Sequence, residues 1–306
     1  MHVICTQKKM LTSDIALLRL EAATAQCLTP FTPGSHIEVQ IAPGITRAYS
    51  LCSDPSLFSS YYEIAVKRED EGRGGSIAIH DIIEIGTQLT ISAPQNYFLL
   101  IEQASHHLLV AGGIGLTPLI SMAHTLSAAK APFTLVVCAS NEENLPFLEL
   151  LNSSNWDVHK SVSGRELFDL SDLLSELPND LHLYCCGPNG FIDTVRQQSK
   201  RLPEGHFHEE YFSAVTNADS GAIELYLSES DVKVSVAEGA SMISALRQAG
   251  IEVESVCEQG ICGSCVVAWR DGDPIHNDQC LEADEQKEYI ALCCAGCRSS
   301  NLTLEL

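Results

Sequence analysis

Six of the seven cysteines in the last fifty residues of the chain have a spacing that could bind iron. They are Cys257, Cys262, Cys265, Cys293, Cys294 and Cys297. The first three form the pattern C-x4-C-x2-C and the others offer a distant fourth thiolate, a spacing typical of a plant-type [2Fe-2S] site. Gly260 and Gly263 allow the sharp turns that such a ligand loop needs. The pattern therefore predicts a carrier of single electrons.

The cysteines have two other possible interpretations, a zinc site and a disulfide framework. Two C-x2-C pairs, 262/265 and 294/297, could hold tetrahedral zinc. They lie further apart than in the usual zinc ribbon, and zinc leaves Cys257 unexplained. A disulfide framework is disfavoured because the chain has 13 cysteines, an odd number, and no secretory signal. We therefore expect reduced thiols and a cytoplasmic protein.

The first hundred residues contain short alternating apolar segments separated by Pro and Gly turns. The clearest are 36–42, 61–67 and 87–94. This rhythm predicts an antiparallel β-barrel.

From His107 the rhythm changes to strand followed by helix. Strands are predicted at 107–112, 133–140 and 182–187, and helices at 118–129, 169–177 and 188–201. The alternation predicts an α/β domain with a doubly wound parallel sheet. With the cysteine module, the chain is multidomain: a barrel over 1–102, an α/β domain over 103–213, a linker over 214–221 and a small domain over 222–306.

The barrel region has two features that suit a flavin. In the strand Arg47-Ala48-Tyr49-Ser50, alternation puts Arg47 and Tyr49 on one side, so that a cation and an aromatic face lie together with the Ser50 hydroxyl beside them. The commoner explanation is an ordinary cross-strand pair. The second feature is Gly74-Gly75-Ser76, where Ser76 is predicted to cap a helix start that could accept a phosphate, with Lys67 adding charge. A plain glycine-rich turn is the alternative.

The α/β region has two glycine-bearing strand ends. In Gly112-Gly113-Ile114-Gly115-Leu116-Thr117-Pro118, Thr117 is predicted to be the N-cap and Pro118 the first helical residue, and the glycines allow a dinucleotide to approach the backbone. Cys186-Gly187-Pro188 forms a second such end. Asn141-Glu142-Glu143 follows the middle strand, and there is no Lys or Arg between Lys130 and Lys160. Because a 2′-phosphate would lack a cation there, NADH is expected rather than NADPH.

The net charge excludes some classes of partner. With 40 acidic and 18 basic residues, the formal charge is −22. Such a surface repels nucleic acid and anionic membranes, and it favours a partner with a basic face. The charge could equally serve solubility alone. No apolar stretch is long enough to predict a membrane span.

Taken together, the motifs resemble the phthalate dioxygenase reductase and vanillate O-demethylase reductase family. The resemblance extends along the chain through RAYSLCSDP (47–55), AVKREDEGRGGS (65–76), AGGIGLTPLISMA (111–123), CGP (186–188), HEEYF (208–212) and CEQGICGSC (257–265). The domain order is also that of the family: flavin domain, NADH domain, then a β-grasp-like α+β [2Fe-2S] ferredoxin domain.

The resemblance implies the cofactors and the residues that bind them. It implies FMN, [2Fe-2S] and NADH, with a Rieske-type terminal oxygenase as the electron acceptor, docking around 258–264, and a monomeric reductase. The implied flavin and nucleotide residues are Arg47, Tyr49, Ser50, Lys67, Gly74, Gly75, Ser76, Gly112, Gly113, Gly115, Thr117, Pro118, Asn141, Cys186, Gly187, Pro188 and Phe212. Phe212 would stack on the flavin until nicotinamide displaces it. Counting back from Leu306, the family's tail length selects Cys293 as the fourth cluster ligand after Cys257, Cys262 and Cys265, and it leaves Cys280, Cys294 and Cys297 as non-ligands.

The implied activity is an NADH-dependent oxidoreductase that needs no acid-base catalytic residue. NADH gives up two electrons as a hydride and the cluster takes one, so a flavin must stand between them. Three alternatives remain: an FAD-containing reductase for a di-iron monooxygenase or another acceptor, a redox or iron sensor with vestigial sites, and a zinc-bound interaction module.

Overall fold

The fold is known from a computed structural model that describes residues 1–24, 27–43, 45–72, 74–162, 169–212, 221–255, 258, 260–278 and 280–306. The chain divides into two compact units, Met1–Phe212 and Ser213–Leu306. The predicted linker, apart from Gly221, lies outside the described residues. Among the described residues, no helix is long and apolar enough to cross a bilayer.

The first unit begins with a six-stranded antiparallel sheet in the order β4-β3-β6-β1-β2-β5. Its strands are β1 (His2–Met10), β2 (Ile15–Ala22), β3 (His36–Ala42), β4 (Ile45–Ser50), β5 (Tyr62–Lys67) and β6 (Gln88–Ile91). A bridge between Leu51 and Ile64 joins the two edge strands, so the sheet curls on itself as the prediction of a barrel requires.

Alternation along the strands builds the core of this sheet. In β2, Ala16, Leu18 and Leu20 are fully buried, while the residues between them are partly exposed. Helix α1 (Gly75–Asp81) adds the buried side chain of Ile79 to the same cluster. Burial of these side chains fixes β4 and α1, which carry the predicted flavin residues.

The unit continues with a five-stranded parallel sheet in the order β11-β10-β7-β8-β9. Its strands are β7 (His107–Gly112), β8 (Phe133–Ala139), β9 (Asp157–Val162), β10 (His182–Gly187) and β11 (Phe207–Tyr211). Its helices are α2 (Leu116–Ala129), α3 (Leu148–Ser153), α4 (Ser171–Glu176) and α5 (Asn189–Gln198). The predicted doubly wound parallel sheet is confirmed.

Some elements of this domain differ from the prediction. The predicted bounds of β7 and β10 are the observed ones. Both strands are almost wholly buried, as is usual in a parallel sheet, so each is a continuous apolar run. Strand β9, however, has no buried residue and helix α3 only one, so neither has a strong apolar pattern. Pairing with β8, rather than local sequence, explains why β9 forms.

The second unit contains a mixed five-stranded sheet in the order β13-β12-β18-β14-β16, with a separate pair of short strands and one helix. The elements are β12 (Ile223–Leu227), β13 (Val232–Val236), α6 (Met242–Gln248), β14 (Val266–Asp271), β15 (Pro274–Ile275), β16 (Tyr289–Ala291), β17 (Gly296–Cys297) and β18 (Asn301–Leu304). Helix α6 packs on the sheet through Met242, Ile243 and Leu246. The predicted α+β ferredoxin fold is confirmed, with cysteines as part of its core.

Candidate functional site

Strand β4 and the start of helix α1 lie against each other. Arg47 and Tyr49 are two residues apart on β4, opposite Val39 and Ile37 of β3. A Cβ atom added at Gly75 would lie 2.6 Å from Cγ of Arg47, so the stem of Arg47 rests where glycine leaves room. Tyr49 is half-buried at the edge of the core. The structure therefore places the predicted cation against the glycine turn, with Tyr49 two residues further along the same strand.

Two further predicted flavin residues flank this turn. Ser50 is buried at the end of β4, and Lys67 is the last residue of β5. The Lys67 ammonium forms an ion pair with Glu69, with 2.8 Å between Nζ and Oε1, and both side chains are partly exposed. The cation thus lies at the loop that leads to α1.

The predicted cap of α1 is wrong. Gly74, and not Ser76, is the N-cap, with a positive φ of 77° that glycine adopts without strain. Ser76 is the second helical residue, and its Oγ accepts a hydrogen bond from the Glu69 N–H at 3.0 Å. The Ser76 hydroxyl therefore closes the loop between β5 and α1, because the helix is already capped by Gly74, two residues earlier.

The glycine-bearing ends of β7 and β10 meet at one edge of the parallel sheet. The two strands pair directly, with Ala111 opposite Cys186. The chain runs outward from β7 through β8 to β9 and then returns to the other side of β7 as β10. The order therefore reverses between β7 and β10, and such a switch point is where parallel α/β sheets bind ligands.

Close packing at this edge requires its glycines. A Cβ at Gly115 would lie 2.2 Å from the carbonyl oxygen of Cys186, and one at Gly187 would lie 3.1 Å from Cα of Gly112. Gly113 has a φ of 56° and open space beside it. Pro188 precedes α5 and lies close to Gly112. The crevice thus has walls of bare backbone, which a nucleotide's phosphates can approach.

The predicted start of α2 is also wrong. The helix begins at Leu116 with Gly115 as its N-cap, continuing a 3₁₀ turn over Gly113–Gly115. Thr117 is buried inside the first turn, where its Oγ1 donates to the Ile114 carbonyl at 3.0 Å. Pro118 is the third helical residue, a position whose nitrogen has no intrahelical partner in any helix. Thr117 therefore closes the turn rather than capping the helix.

Asn141 lies after β8, at the same edge of the sheet. It is the N-cap of a 3₁₀ turn over Glu142–Asn144, and its Oδ1 accepts the Asn144 N–H at 2.9 Å. The neighbouring strand β9 carries Lys160 opposite Val137, and the Lys160 ammonium donates to Asn152. The end of β8 is therefore acidic, and the lysine of the neighbouring strand, Lys160, is hydrogen-bonded to Asn152.

Strand β11 ends in one predicted residue and one that the sequence analysis missed. Phe212 follows the strand with 38% of its surface exposed. Glu210 is buried, with 6% exposed, and its Oε2 has no hydrogen-bond partner among the described residues. Burial raises the pKa of Glu210 to about 8, and the pKa of the fully buried Cys186 thiol is raised by burial and then by the Glu210 charge. The signal for Glu210 that the sequence offered was a second glutamate directly after Glu209, within the same strand.

The predicted cluster ligands in the second unit converge in part. The thiols of Cys265 and Cys293 are hydrogen-bonded to each other across 28 positions of sequence, and with burial this bond raises the pKa of Cys265 well above its usual range. The Gly260 N–H donates to Sγ of Cys293 at 3.1 Å. Cys262 is half-buried, with Sγ 3.1 Å from Oγ of Ser264. Cys257 lies outside the described residues.

This donor set fits a [2Fe-2S] cluster. Each iron of such a cluster takes a pair of protein sulfurs, and N–H donors to the sulfurs tune it. The Cys265–Cys293 pair and the Gly260 N–H supply these two features. Gly260 and Gly263 have φ values of 77° and 74°, as the predicted tight loop requires. Among the described residues, no three His, Cys, Asp or Glu side chains converge as a single metal ion needs.

The three additional thiols of this unit have other surroundings. Cys280 lies 3.8 Å from Oδ2 of the buried Asp278. Cys297 lies 3.1 Å from Oγ of Ser299. Cys294 is buried directly beside Cys293, and the two thiols are hydrogen-bonded.

Comparisons with known proteins agree with this arrangement. Residues 2–99 match the oxidoreductase FAD-binding domain family, and residues 225–298 match the 2Fe-2S iron-sulfur cluster binding domain family. Phenoxybenzoate dioxygenase subunit beta of Ectopseudomonas oleovorans is 36% identical over 298 residues, which are 96% of this chain and 93% of the relative. Vanillate O-demethylase oxidoreductase of Pseudomonas sp. (strain HR199 / DSM 7063) is 34% identical, covering 100% and 99%.

A solved structure gives the same result over the whole chain. Phthalate dioxygenase reductase, described as a modular structure for electron transfer from pyridine nucleotides to [2Fe-2S], has a TM-score of 0.79 and 34% identity. The match covers 100% of this chain and 98% of that one. The chain belongs to the phthalate dioxygenase reductase and vanillate O-demethylase reductase family, the flavin and [2Fe-2S] oxidoreductases that pass electrons from NAD(P)H as reductase components of oxygenase systems.

Proposed function

We propose that this chain is the NADH-dependent reductase of a two-component Rieske-type oxygenase and that its flavin is FMN. When bound, the flavin accepts two electrons as a hydride and releases them singly to the [2Fe-2S] cluster. The residues of the chain bind, orient and shield these carriers.

The observation that carries the proposal is the meeting of the two glycine-bearing strand ends at the switch point of the parallel sheet. The backbone of Gly113, Gly115 and Gly187 leaves space for a dinucleotide beside Pro188. Thr117 lies buried at the same edge and would meet the flavin ring where nicotinamide arrives. Phe212, exposed after β11, would cover the ring until then.

The flavin is assigned to the surface between β4 and α1. Tyr49 would stack on the ring, Arg47 would pair with the phosphate and Ser50 would contact the polar edge of the ring. Gly74, Gly75 and Ser76 offer backbone N–H groups beside Lys67. Because an arginine stem and a helix start meet there, one phosphate could be bound from both sides.

FMN is preferred to FAD on the resemblance of the RAYS and GRGGS segments to the family. The alternative is an FAD-containing reductase that serves a di-iron monooxygenase or another acceptor, in keeping with the description of the matching domain family. Chromatography of the flavin released by denaturation distinguishes the two, and FAD in the supernatant would refute the FMN assignment.

NADH is preferred to NADPH because of the acidic turn after β8. The two glutamates that follow Asn141 would repel a 2′-phosphate, and their carboxylates could accept hydrogen bonds from a 2′-hydroxyl. We expect kcat/KM for NADH to exceed that for NADPH by at least about tenfold.

The cluster is assigned to Cys257, Cys262, Cys265 and Cys293, with electrons leaving near 258–264 to a Rieske-type oxygenase. The formal charge of −22 favours an acceptor with a basic docking face. A cytoplasmic location is proposed from the 13 cysteines, an odd number that disfavours a disulfide framework. A monomer is proposed from the family resemblance.

An anaerobic absorption spectrum before and after one equivalent of NADH tests the whole proposal. We expect overlapping flavin and iron-sulfur bands that bleach within the mixing time. A colourless protein containing zinc would favour an interaction module, and cofactors that NADH leaves oxidised would favour a sensor. Either result would contradict the reductase assignment.

A further inference from the structure

Two adjacent thiols, Cys293 and Cys294, follow strand β16 and face the same turn of the cluster loop. Both side chains are buried, with 2% and 1% exposed. A single carboxyl-terminal ligand needs only one of them. The second thiol therefore has no role in the assignment given above.

Gly260 contacts both sulfur atoms. Its N–H donates to Sγ of Cys293 at 3.1 Å. A Cβ atom at the same glycine would lie 2.6 Å from Sγ of Cys294, so this sulfur packs directly on the bare backbone of the turn. The two thiols are also hydrogen-bonded to each other. Cys294 thus lies beside the predicted ligand Cys293. It faces Gly260, which is two positions before Cys262 in the cluster loop.

The other additional thiols are placed less well for this role. Sγ of Cys280 lies 3.8 Å from Oδ2 of the Asp278 carboxylate. Sγ of Cys297 lies near the hydroxyl of Ser299 and the carbonyl of Asn301. The Cys294 thiol is hydrogen-bonded directly to a predicted ligand sulfur, that of Cys293.

We propose that Cys294 is a reserve ligand that binds the cluster iron when Cys293 is lost or chemically blocked. The inference rests on the proposed function, in which Cys293 is the fourth ligand. With Cys293 absent or blocked, its coordination position on the iron is open. The Cys294 thiol gives up its proton to solvent and its sulfur forms the missing iron–sulfur bond, and no electron is transferred. Only the turn after β16 has to adjust, because both sulfurs already contact Gly260.

The test compares Cys293→Ala, Cys294→Ala and the double variant Cys293→Ala/Cys294→Ala in the full chain. Cys293→Ala/Cys297→Ala is the matched control. Each protein is purified anaerobically and assayed for iron, acid-labile sulfide and the electron paramagnetic resonance spectrum after dithionite reduction. Flavin content and flavin bleaching by NADH report the integrity of the first unit.

We expect Cys293→Ala and its Cys297 control to keep at least about half of the wild-type iron and sulfide, with shifted g values. Cys294→Ala should keep the wild-type spectrum, and the double variant should lose the cluster while keeping its flavin. If Cys293→Ala aggregates, Cys293→Ser is compared with Cys293→Ser/Cys294→Ala, and a spectral change caused by the second substitution supports the proposal.

Several outcomes would overturn the reserve role. If Cys293→Ala lacks the cluster while the wild type contains it, Cys294 cannot replace Cys293. Loss of the cluster in Cys294→Ala alone would make Cys294 the primary ligand. Identical spectra of the paired single and double variants would exclude any contribution from Cys294. A wild-type protein without a cluster would instead refute the proposed function, so the two failures are distinguishable.

Discussion

At the residue scale, the carboxyl of Glu210 has an unusual environment. It is buried beside the switch-point crevice, and its Oε2 has no hydrogen-bond partner among the described residues. A buried carboxyl is more stable with its proton than without it, which is why its pKa is raised to about 8. The residue therefore remains largely neutral at pH 7, two positions before Phe212.

Glu210→Gln should change how stability depends on pH. In the unfolded chain the carboxyl ionises near its usual pKa of 4.5, and in the folded chain near 8. The native state thus holds a proton that the unfolded state has lost, so this stabilisation is complete below pH 4.5 and disappears as the pH rises to about 8. Relative to wild type, the variant should gain roughly 4 kcal/mol across this window.

Urea denaturation at half-unit pH steps measures the difference, in which titrations common to both proteins cancel. Parallel wild-type and variant curves from pH 4.5 to 8 would contradict a raised pKa for Glu210.

At the scale of elements, the contact between the ends of β7 and β10 depends on glycine. At Gly115 an added methyl group would meet the backbone oxygen of Cys186 at 2.2 Å and its carbonyl carbon at 2.4 Å. Backbone cannot rotate away as a side chain can, so the strand end or the start of α2 would have to move. The site is thus held by packing between elements as well as by its own turn.

Gly115→Ala should destabilise the protein by about 3 kcal/mol and raise KM for the nicotinamide nucleotide. Gly190→Ala is the matched control, because this glycine lies in α5 with nothing within 4 Å of an added Cβ. The control should be neutral or slightly stabilising. Chemical denaturation and steady-state kinetics of both variants check the prediction, which fails if the two alanines have equal effects.

The contact between β10 and β11 contains a pair of histidines. Nδ1 of His182 lies 2.8 Å from Nε2 of His208, and the ring of His208 stacks on Tyr184 with centroids 4.5 Å apart. Such a nitrogen pair needs at least one neutral ring. Burial, followed by the charges of His182 and His206, lowers the pKa of His208 to about 4.

His208→Phe should make the protein less sensitive to acid. In the wild type, the contribution of neutral His208 to the free energy of unfolding is complete above pH 6.5, the usual pKa of the unfolded residue. It is lost as the pH falls toward 4. Phenylalanine keeps the ring but cannot titrate. At pH 5 we expect the variant to take up about one proton fewer on unfolding than the wild type. An unchanged slope of stability against pH would argue against a neutral His208.

At the scale of the whole molecule, the negative charge should govern encounters with electron acceptors. The net charge of −22 attracts cations and repels anions over a distance that salt shortens. With NADH as donor, reduction of a basic cytochrome c should slow by on the order of tenfold as ionic strength rises from about 10 mM to 0.5 M.

Reduction of ferricyanide, an anion, should respond in the opposite direction under the same conditions. Stopped-flow measurements with both acceptors under identical conditions check these two predictions. If salt affected both acceptors alike, a direct effect on the protein, and not steering, would be the cause.

The sequence alone determined whatever depends on neighbouring residues. The C-x4-C-x2-C spacing predicted a thiolate loop, and the positive φ values of Gly260 and Gly263 agree with its turns. Buried strands such as 107–112 and 182–187 were predicted with their observed bounds, since a continuous apolar run limits where a strand can begin and end. Together with the end-to-end motifs, these local patterns were enough to indicate the family.

Only the tertiary structure decided what depends on distant residues. The starts of α1 and α2 were predicted from Ser76 and Thr117, but glycines free to take the cap position started both helices earlier. Strand β9 forms by pairing with β8, and Glu210 is buried where β11 pairs with β10, opposite Cys186. The proximity of Cys293 and Cys294 to Gly260 joins segments more than thirty residues apart. Such contacts follow from the packing of whole elements, which no local spacing contains.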